Sequence, residues 1–283
     1  MKGFLTTHKG MEDIAAMEVK ELIGSESLID EACIVFDIKN YEELFKLCYK
    51  SQSAIGIYYL LSEFDYKDIF DDFENNIGKI KFDEWLGKNV QFRVKCTRNY
   101  EDDAASVETE SKLGEIIIGH MQKKYSYKQK VDLEKPEIIV FFFLTKKRCF
   151  VSIDFAGFDL SKRSYKIFQH PADIKGTIAY SLIRIAGYGK NETMLDIFSG
   201  SGTIPIEAAL FSSNFPVRHF DREKFIFLKF KKFKDFDFNK LFRKLDREAS
   251  DNKPRIYNVD LSMKNINYAK KNSKIAGVDK KIS

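Results

Sequence analysis

The 283-residue sequence predicts an α+β N-terminal region followed by an α/β, Rossmann-like domain. Three observations carry this prediction. Short strand and helix patterns alternate from the first residues onward. They close on two adjacent apolar strands, Ile138–Leu144 and Cys149–Phe155, joined by the basic turn Thr145-Lys146-Lys147-Arg148. Further along, the apolar strand Met194–Phe198 turns through Gly200 and Gly202 into a helix near Thr203, and a second strand from Arg255 runs to Asp260.

Taken in order, Gly10–Gly24 reads as an amphipathic helix with Glu12 and Asp13 in its first turn and Gly24 placed to end it. Cys33–Ile38 alternates as a strand, Tyr41–Lys50 returns to helical spacing, and the apolar run Ala54–Leu61 follows. Alternation over such short lengths suggests a small unit, ferredoxin-like in size, over 1–65. Asn89–Cys96 is a period-two strand, and a polar loop then leads to a helix from Ser106 to Tyr125. With the hairpin, these define a second unit over 66–158, and 159–169 reads as a linker. The remainder, 170–283, is the Rossmann-like part. It opens with a helix predicted from Pro171 to Gly187, on the spacing of Ile174, Ile178, Leu182 and Ile185.

Glycines 200 and 202 allow a tight turn and a close backbone approach to a ligand. A helix start at Thr203, predicted as the N-cap, would turn free N–H groups toward the strand end. Asp260, at the end of the following strand, could accept two hydrogen bonds from a ribose diol. A lone G-x-G also occurs in ordinary tight turns, and the third glycine of a dinucleotide fingerprint is replaced by Pro205.

Composition narrows the class. No apolar run approaches the roughly 20 residues of a membrane span, and the N-terminus lacks the apolar core of a secretory signal, so a cytoplasmic protein is expected. The four cysteines form no C-x-x-C pair and read as reduced, mostly buried thiols. His120 has no second ligand at metal spacing, so no metal is expected. The formal charge of +5 permits nucleic-acid binding without demonstrating it. In the Phe- and Lys-dense stretch 211–257, an inserted amphipathic helix packing its Phe side chains is favoured over rings that stack on single-stranded nucleic acid.

The string Phe198-Ser199-Gly200-Ser201-Gly202-Thr203, preceded by Asp196, resembles motif I of amino-group S-adenosylmethionine-dependent methyltransferases, usually D-P-F-C-G-S-G-T. Ile197 and Ser199 stand where that family has Pro and Cys. The run 269–278 matches its A-R-x-N-x-x-x-A-G-V. The strand at 89–96, the helix after it and Val131-Asp132-Leu133-Glu134-Lys135-Pro136-Glu137 resemble the THUMP RNA-binding domain. Leu160-Ser161-Lys162-Arg163-Ser164-Tyr165 is similar to the linker L-x-K-R-G-Y that joins the two in such enzymes.

The resemblance is to THUMP-containing RNA methyltransferases, in particular the archaeal tRNA (guanine-N2)-methyltransferases. It implies S-adenosyl-L-methionine as cofactor. Asp196, Phe198, Ser199, Gly200, Ser201, Gly202 and Thr203 would shape its methionine side and Asp260 its ribose side. His170, Pro171 and Ala172 would abut the methionine end, unless His170-Pro171 merely starts a helix. RNA, most of all tRNA, would be held by Lys95, Arg98, Lys123, Lys124 and Lys128, with Lys130 beside them. Each of these alone also reads as a solvated surface residue. Arg163 is expected as an RNA or inter-domain contact.

The family's (D/N)-P-P-(Y/F) motif is missing from the sequence, so no catalytic residue is assigned. Two strands do not make a stable doubly wound sheet, and a methyltransferase domain incomplete at the C-terminus is therefore expected. Two other readings stay open: an rRNA guanine-N2 methyltransferase, and a non-catalytic RNA-binding protein or half of a split enzyme. The thiolation enzymes that also carry THUMP need an S-G-G-x-D-S loop, which Ser199-Gly200-Ser201-Gly202 does not match.

Overall fold

The computed structural model describes residues 1–100, 106–250 and 255–283. The polar loop expected before the long helix lies partly outside these, at 101–105, as do residues 251–254 of the Phe/Lys-dense stretch.

The first half supplies β1 (Lys2–Thr6), α1 (Glu12–Ile23), β2 (Ser27–Asp30), β3 (Cys33–Asp37), α2 (Tyr41–Lys50) and β4 (Gly56–Asp65). It continues with α3 (Ile69–Asn76), β5 (Gln91–Arg98), α4 (Ser106–Tyr125), β6 (Lys130–Val131), β7 (Ile138–Leu144) and β8 (Arg148–Asp154). Local chemistry sets the ends. Gly24, at φ 74°, closes α1, the Asn40 side chain accepts from Glu42 N at the start of α2, and Asp68 accepts from Phe70 N and Asp71 N at the start of α3.

All eight strands form one sheet in the order β2-β3-β1-β4-β8-β7-β5-β6. The seam is the antiparallel pair β4–β8, which joins the 1–65 stretch directly to the 66–158 stretch. Phe92, Val94 and Cys96 of β5 turn to the helix-covered face, where Leu113, Ile117 and Met121 of α4 are buried in the same core. The other face carries an aromatic cluster in which Tyr58 stacks on Phe141 at 4.2 Å between ring centroids.

The second half contains α5 (Gly176–Ile185), β9 (Thr193–Asp196), α6 (Thr203–Ser212), α7 (Phe238–Asp246), β10 (Arg255–Asn258) and α8 (Met263–Ile275). Strands β9 and β10 pair in parallel with Asp196 opposite Asn258, and Ile282 bridges in parallel to Ile256.

Two local expectations are corrected. The helix predicted from Pro171 begins at Gly176. Ahead of it, the Asp173 carboxylate accepts from His170 N (2.9 Å) and the His170 ring Nδ1 accepts from Ala172 N (3.2 Å). Such side-chain-to-backbone bonds offer the chain an alternative to a helical turn. Thr203 is the first helical residue rather than the cap. Gly202, in the left-handed region at φ 84°, takes the cap position without any side-chain bond.

The Phe-rich stretch packs, as a string of short 3₁₀ turns between His219 and Phe233 followed by α7, rather than as one long helix. Phe225, Phe227, Phe230, Phe233 and Phe242 are buried in the core of the first half. Phe227 meets Phe45 at 4.6 Å, Phe230 meets Trp85 at 5.8 Å and Phe242 meets Tyr49 at 4.8 Å. Phe220, in the same stretch, is by contrast largely exposed, at 55%.

Candidate cofactor-binding site and RNA-facing surface

Strand β9 delivers Asp196 to the edge of a turn that closes when Gly202 N donates to Ser199 O (2.8 Å). Two further bonds lace the turn to the β10 side: Val259 N to Asp196 O (2.9 Å) and Ser199 N to Val259 O (3.2 Å). The two glycines serve different purposes. A Cβ on Gly202 would sit 2.8 Å from Ala269 Cβ, so that glycine lets α8 press against the start of α6. A Cβ on Gly200 would stand in ordinary van der Waals contact with Asp173 Oδ1 at 3.7 Å, so this glycine is called for by its positive φ of 53° rather than by close packing.

Both expected acids reach this turn, with opposite electrostatics. Asp260 accepts from Ser262 N (2.9 Å), Gly200 N (2.9 Å) and Asn265 Nδ2 (3.0 Å). The Ser262 N–H above all, with the Gly200 N–H, holds its carboxyl below the usual range. Asp196 accepts only from Phe198 N (3.1 Å) through Oδ1. Its Oδ2 is buried without a partner among the described residues, as are Ser199 Oγ, Thr203 Oγ1 and Asn258 Oδ1. Burial, and then the negative charge of Asp260, push the Asp196 carboxyl up.

The His170–Asp173 turn also lies against the glycines, with His170 Cβ 3.9 Å from the position of a Gly200 Cβ. Pro171 and Ala172 are exposed at its tip. Asp173 and Asn272, to which the sequence assigned no role, hold it there through Ser201. Asp173 Oδ2 accepts from Ser201 Oγ (2.5 Å), and Asn272 Nδ2 donates to Ser201 O (3.1 Å) and Phe168 O (2.7 Å). Asp173 and Asn272 both sit inside recognised strings, but only the fold shows that they meet at Ser201. Phe198, 83% exposed, rims the turn.

A buried orphan acceptor, a fixed carboxylate and a helix N-terminus at the ends of parallel strands suit a nucleoside-type ligand that carries a diol and a cationic amine. Among the described residues no group of His, Cys, Asp and Glu has metal-holding geometry. No described helix is long and apolar enough to cross a membrane.

The proposed RNA residues do not form one cluster. Lys123, Lys124, Lys128 and Lys130 are exposed at and beyond the end of α4. Lys95 is on the opposite face of the sheet, where it lines a cavity of about 440 Å³ with Thr6, Asn99 and Asp154. Arg98 is partly buried and donates to Thr109 Oγ1 of α4 (2.5 Å). The RNA role is withdrawn for Arg163. Its side chain is fully buried and donates to both oxygens of Glu207 (2.7 and 3.1 Å), to Leu160 O (2.7 Å) and to Gln52 O (2.6 Å). A phosphate cannot reach it. It joins the two halves instead, with Tyr165 OH also donating to Glu207 (2.7 Å).

A strand–glycine turn–helix with an acid at the C-terminal end of one parallel strand and another just past the end of the next defines a Rossmann-like, nucleoside-cofactor enzyme domain, attached here to a separate sheet unit. Family models match both: the THUMP domain over residues 67–154 and the RMKL-like methyltransferase domain over 163–283. The tRNA (guanine(6)-N2)-methyltransferase of Methanocaldococcus jannaschii is 30% identical, over 98% of this chain and 73% of that protein. The ribosomal RNA large subunit methyltransferase K/L of Buchnera aphidicola is 25% identical, over 75% of this chain and 30% of that protein. The crystal structure of SMU.472 with SAH superposes on 100% of this chain and 74% of its own with a TM-score of 0.82, at 22% identity, which bears on the fold. The chain belongs to the THUMP-containing, S-adenosylmethionine-dependent RNA methyltransferases.

Proposed function

We propose that the chain serves the methylation of the exocyclic N2 amine of a guanosine in tRNA. The observation that carries this reading is the extent of the similarity. The archaeal tRNA (guanine(6)-N2)-methyltransferase matches over 98% of this chain, through both the sheet unit and the cofactor turn, whereas the ribosomal K/L enzyme matches over 75%. S-adenosylmethionine supplies a methyl group already activated on a sulfonium.

The residues fit that cofactor. Asp260, anionic and fixed by three donors, is placed to accept from the ribose hydroxyls. The unpartnered Asp196 Oδ2 is placed to accept from a donor at the methionine side, and the His170–Asp173 turn walls that side. The RNA backbone is met by the exposed lysines at the end of α4, with the target base leaving its stack to reach the strand ends. The rate advantage rests on holding the amine in line with the methyl group. We place this activity in the cytoplasm, where the four buried, unpaired cysteines remain reduced.

The test is transfer of labelled methyl from S-adenosylmethionine into purified tRNA and rRNA, followed by nucleoside analysis. N2-methylguanosine in tRNA is expected. Label only in rRNA transfers the assignment to the ribosomal substrate. RNA binding without transfer by the folded chain returns it to a binding or split-enzyme role.

A further inference from the structure

We propose that the outward face of residues 229–247 is a second RNA-backbone contact, continuous with the lysines at the end of α4. This rests on the RNA reading above and adds a surface to it. The stretch carries eight Lys or Arg against three Asp. Its Phe230, Phe233, Leu241, Phe242 and Leu245 point into the core, which leaves the cations outside. Lys231 and Lys232 are matched by Glu137 and Glu84, each at 3.4 Å. Lys229, Lys234, Lys240, Arg243, Lys244 and Arg247 are exposed and form no ion pair with any described residue.

The spacing sharpens the point. Lys240 lies three and four residues before Arg243 and Lys244, and Arg247 lies four and three after them. Like charges at these helical spacings repel across adjacent turns, and the helix C-terminus favours Arg243 and Lys244 in the last turn but not Lys240 in the first. A polyanion that neutralises all of them at once gives the pattern a purpose.

Geometry connects the Lys231–Lys232 end of this face to the chain just beyond α4, which carries Lys128 and Lys130. Segment 82–90 touches both. Tyr127 OH donates to Leu86 O (2.6 Å) and Gln129 Nε2 to Gly87 O (3.3 Å) on one side. Lys231 Nζ reaches Asn89 O (3.5 Å) and Lys232 Nζ lies over the Trp85 ring (4.5 Å) on the other. Nucleic acid is favoured over a lipid surface because the apolar side of α7 is already spent on Tyr49 and Phe227, so no hydrophobic face remains to enter a bilayer.

The test is tRNA binding by fluorescence anisotropy across a salt series, with the whole chain. Lys240→Gln/Arg243→Gln/Lys244→Gln should weaken binding at least tenfold. It should also reduce the slope of log affinity against log salt by about 2 to 3, at roughly 0.7–0.9 per lost phosphate contact. Lys229→Gln/Lys234→Gln, off the helix, should show the same effect at smaller scale and decides the matter if the triple variant misfolds. Unchanged affinity and slope, with Lys123→Gln/Lys124→Gln weakened, overturns this surface and leaves the RNA reading intact. No RNA binding by the folded wild type overturns both. Charge-dependent binding to phosphatidylserine vesicles with unchanged RNA affinity assigns the face to lipid instead.

Discussion

Thr203 and Glu207 are four residues apart on α6, yet their surroundings are opposites. Around Glu207 every carboxylate oxygen and every guanidinium nitrogen of Arg163 is engaged, and Gln52 Nε2 adds a bond of 2.7 Å. On α1, Glu18 likewise fills both oxygens with Ser51, Gln52 and Ser53. Around Thr203 the hydroxyl, Ser199 Oγ and Asp196 Oδ2 are buried with no hydrogen-bond partner among the described residues. The difference separates structure from function along one helix. A satisfied buried network rigidifies, and an unsatisfied one beside a glycine turn is a candidate place for a ligand. Helix α6 is bolted to the THUMP-containing half at Glu207, and so its other end is held in a fixed orientation relative to that half.

Removing one side of the bolt should have the largest effect. Arg163→Met leaves Glu207 charged, buried and short of its donors, and a loss of about 3 to 5 kcal/mol is expected from urea unfolding. Arg163→Met/Glu207→Leu should lose much less than the two single changes together, because no charge is stranded. Gly202→Ala should follow. A methyl at φ 84° meets Ala269 Cβ at 2.8 Å, and backbone strain plus overpacking together cost about 2 to 4 kcal/mol.

Asp154 is an intermediate case. Its Oδ1 accepts from Ala156 N and Gly157 N, yet burial pushes its carboxyl up to about 6. Raised in the folded state, this group favours folding below its unfolded value near 4. The contribution is lost as pH climbs to 6, on the order of 2 to 3 kcal/mol. Asp154→Asn should flatten that fall when urea midpoints are compared at pH 5 and pH 7. The smallest effect is expected at Asp196. Its raised carboxyl means that cofactor affinity should drop with acid at a pH above the ordinary carboxylate range. Asp196→Asn should bind about tenfold more weakly, equivalent to about 1.4 kcal/mol, with that pH step gone.

Much of this was legible because it is local. Period-two and 3.6-residue patterns located the longer strands and most helices but not β1, β2, β6 or α3, and the glycine turn with its two acids marked the expected cofactor side. What the sequence did not show depends on distant partners. The pairing of β4 with β8, which merges two expected units into one sheet, is set by residues about 90 positions apart. Arg163 stayed open between an RNA and an inter-domain contact because its partner Glu207 lies 44 residues away in the sequence. Asp173 and Asn272 gained meaning only when both were found at Ser201. The Phe-rich stretch announced burial but not where, since its rings fill a core built by the other half of the chain.

The central claim is that the turn from Asp196 to Thr203, with Asp260, holds S-adenosylmethionine. Calorimetric titration of S-adenosylmethionine into the wild-type chain and into Asp260→Ala addresses it directly. Saturable binding to the wild type, weakened at least tenfold in the variant while its fold is retained, is the expected result. Equal affinity in both, or no binding by the folded wild type, would contradict it.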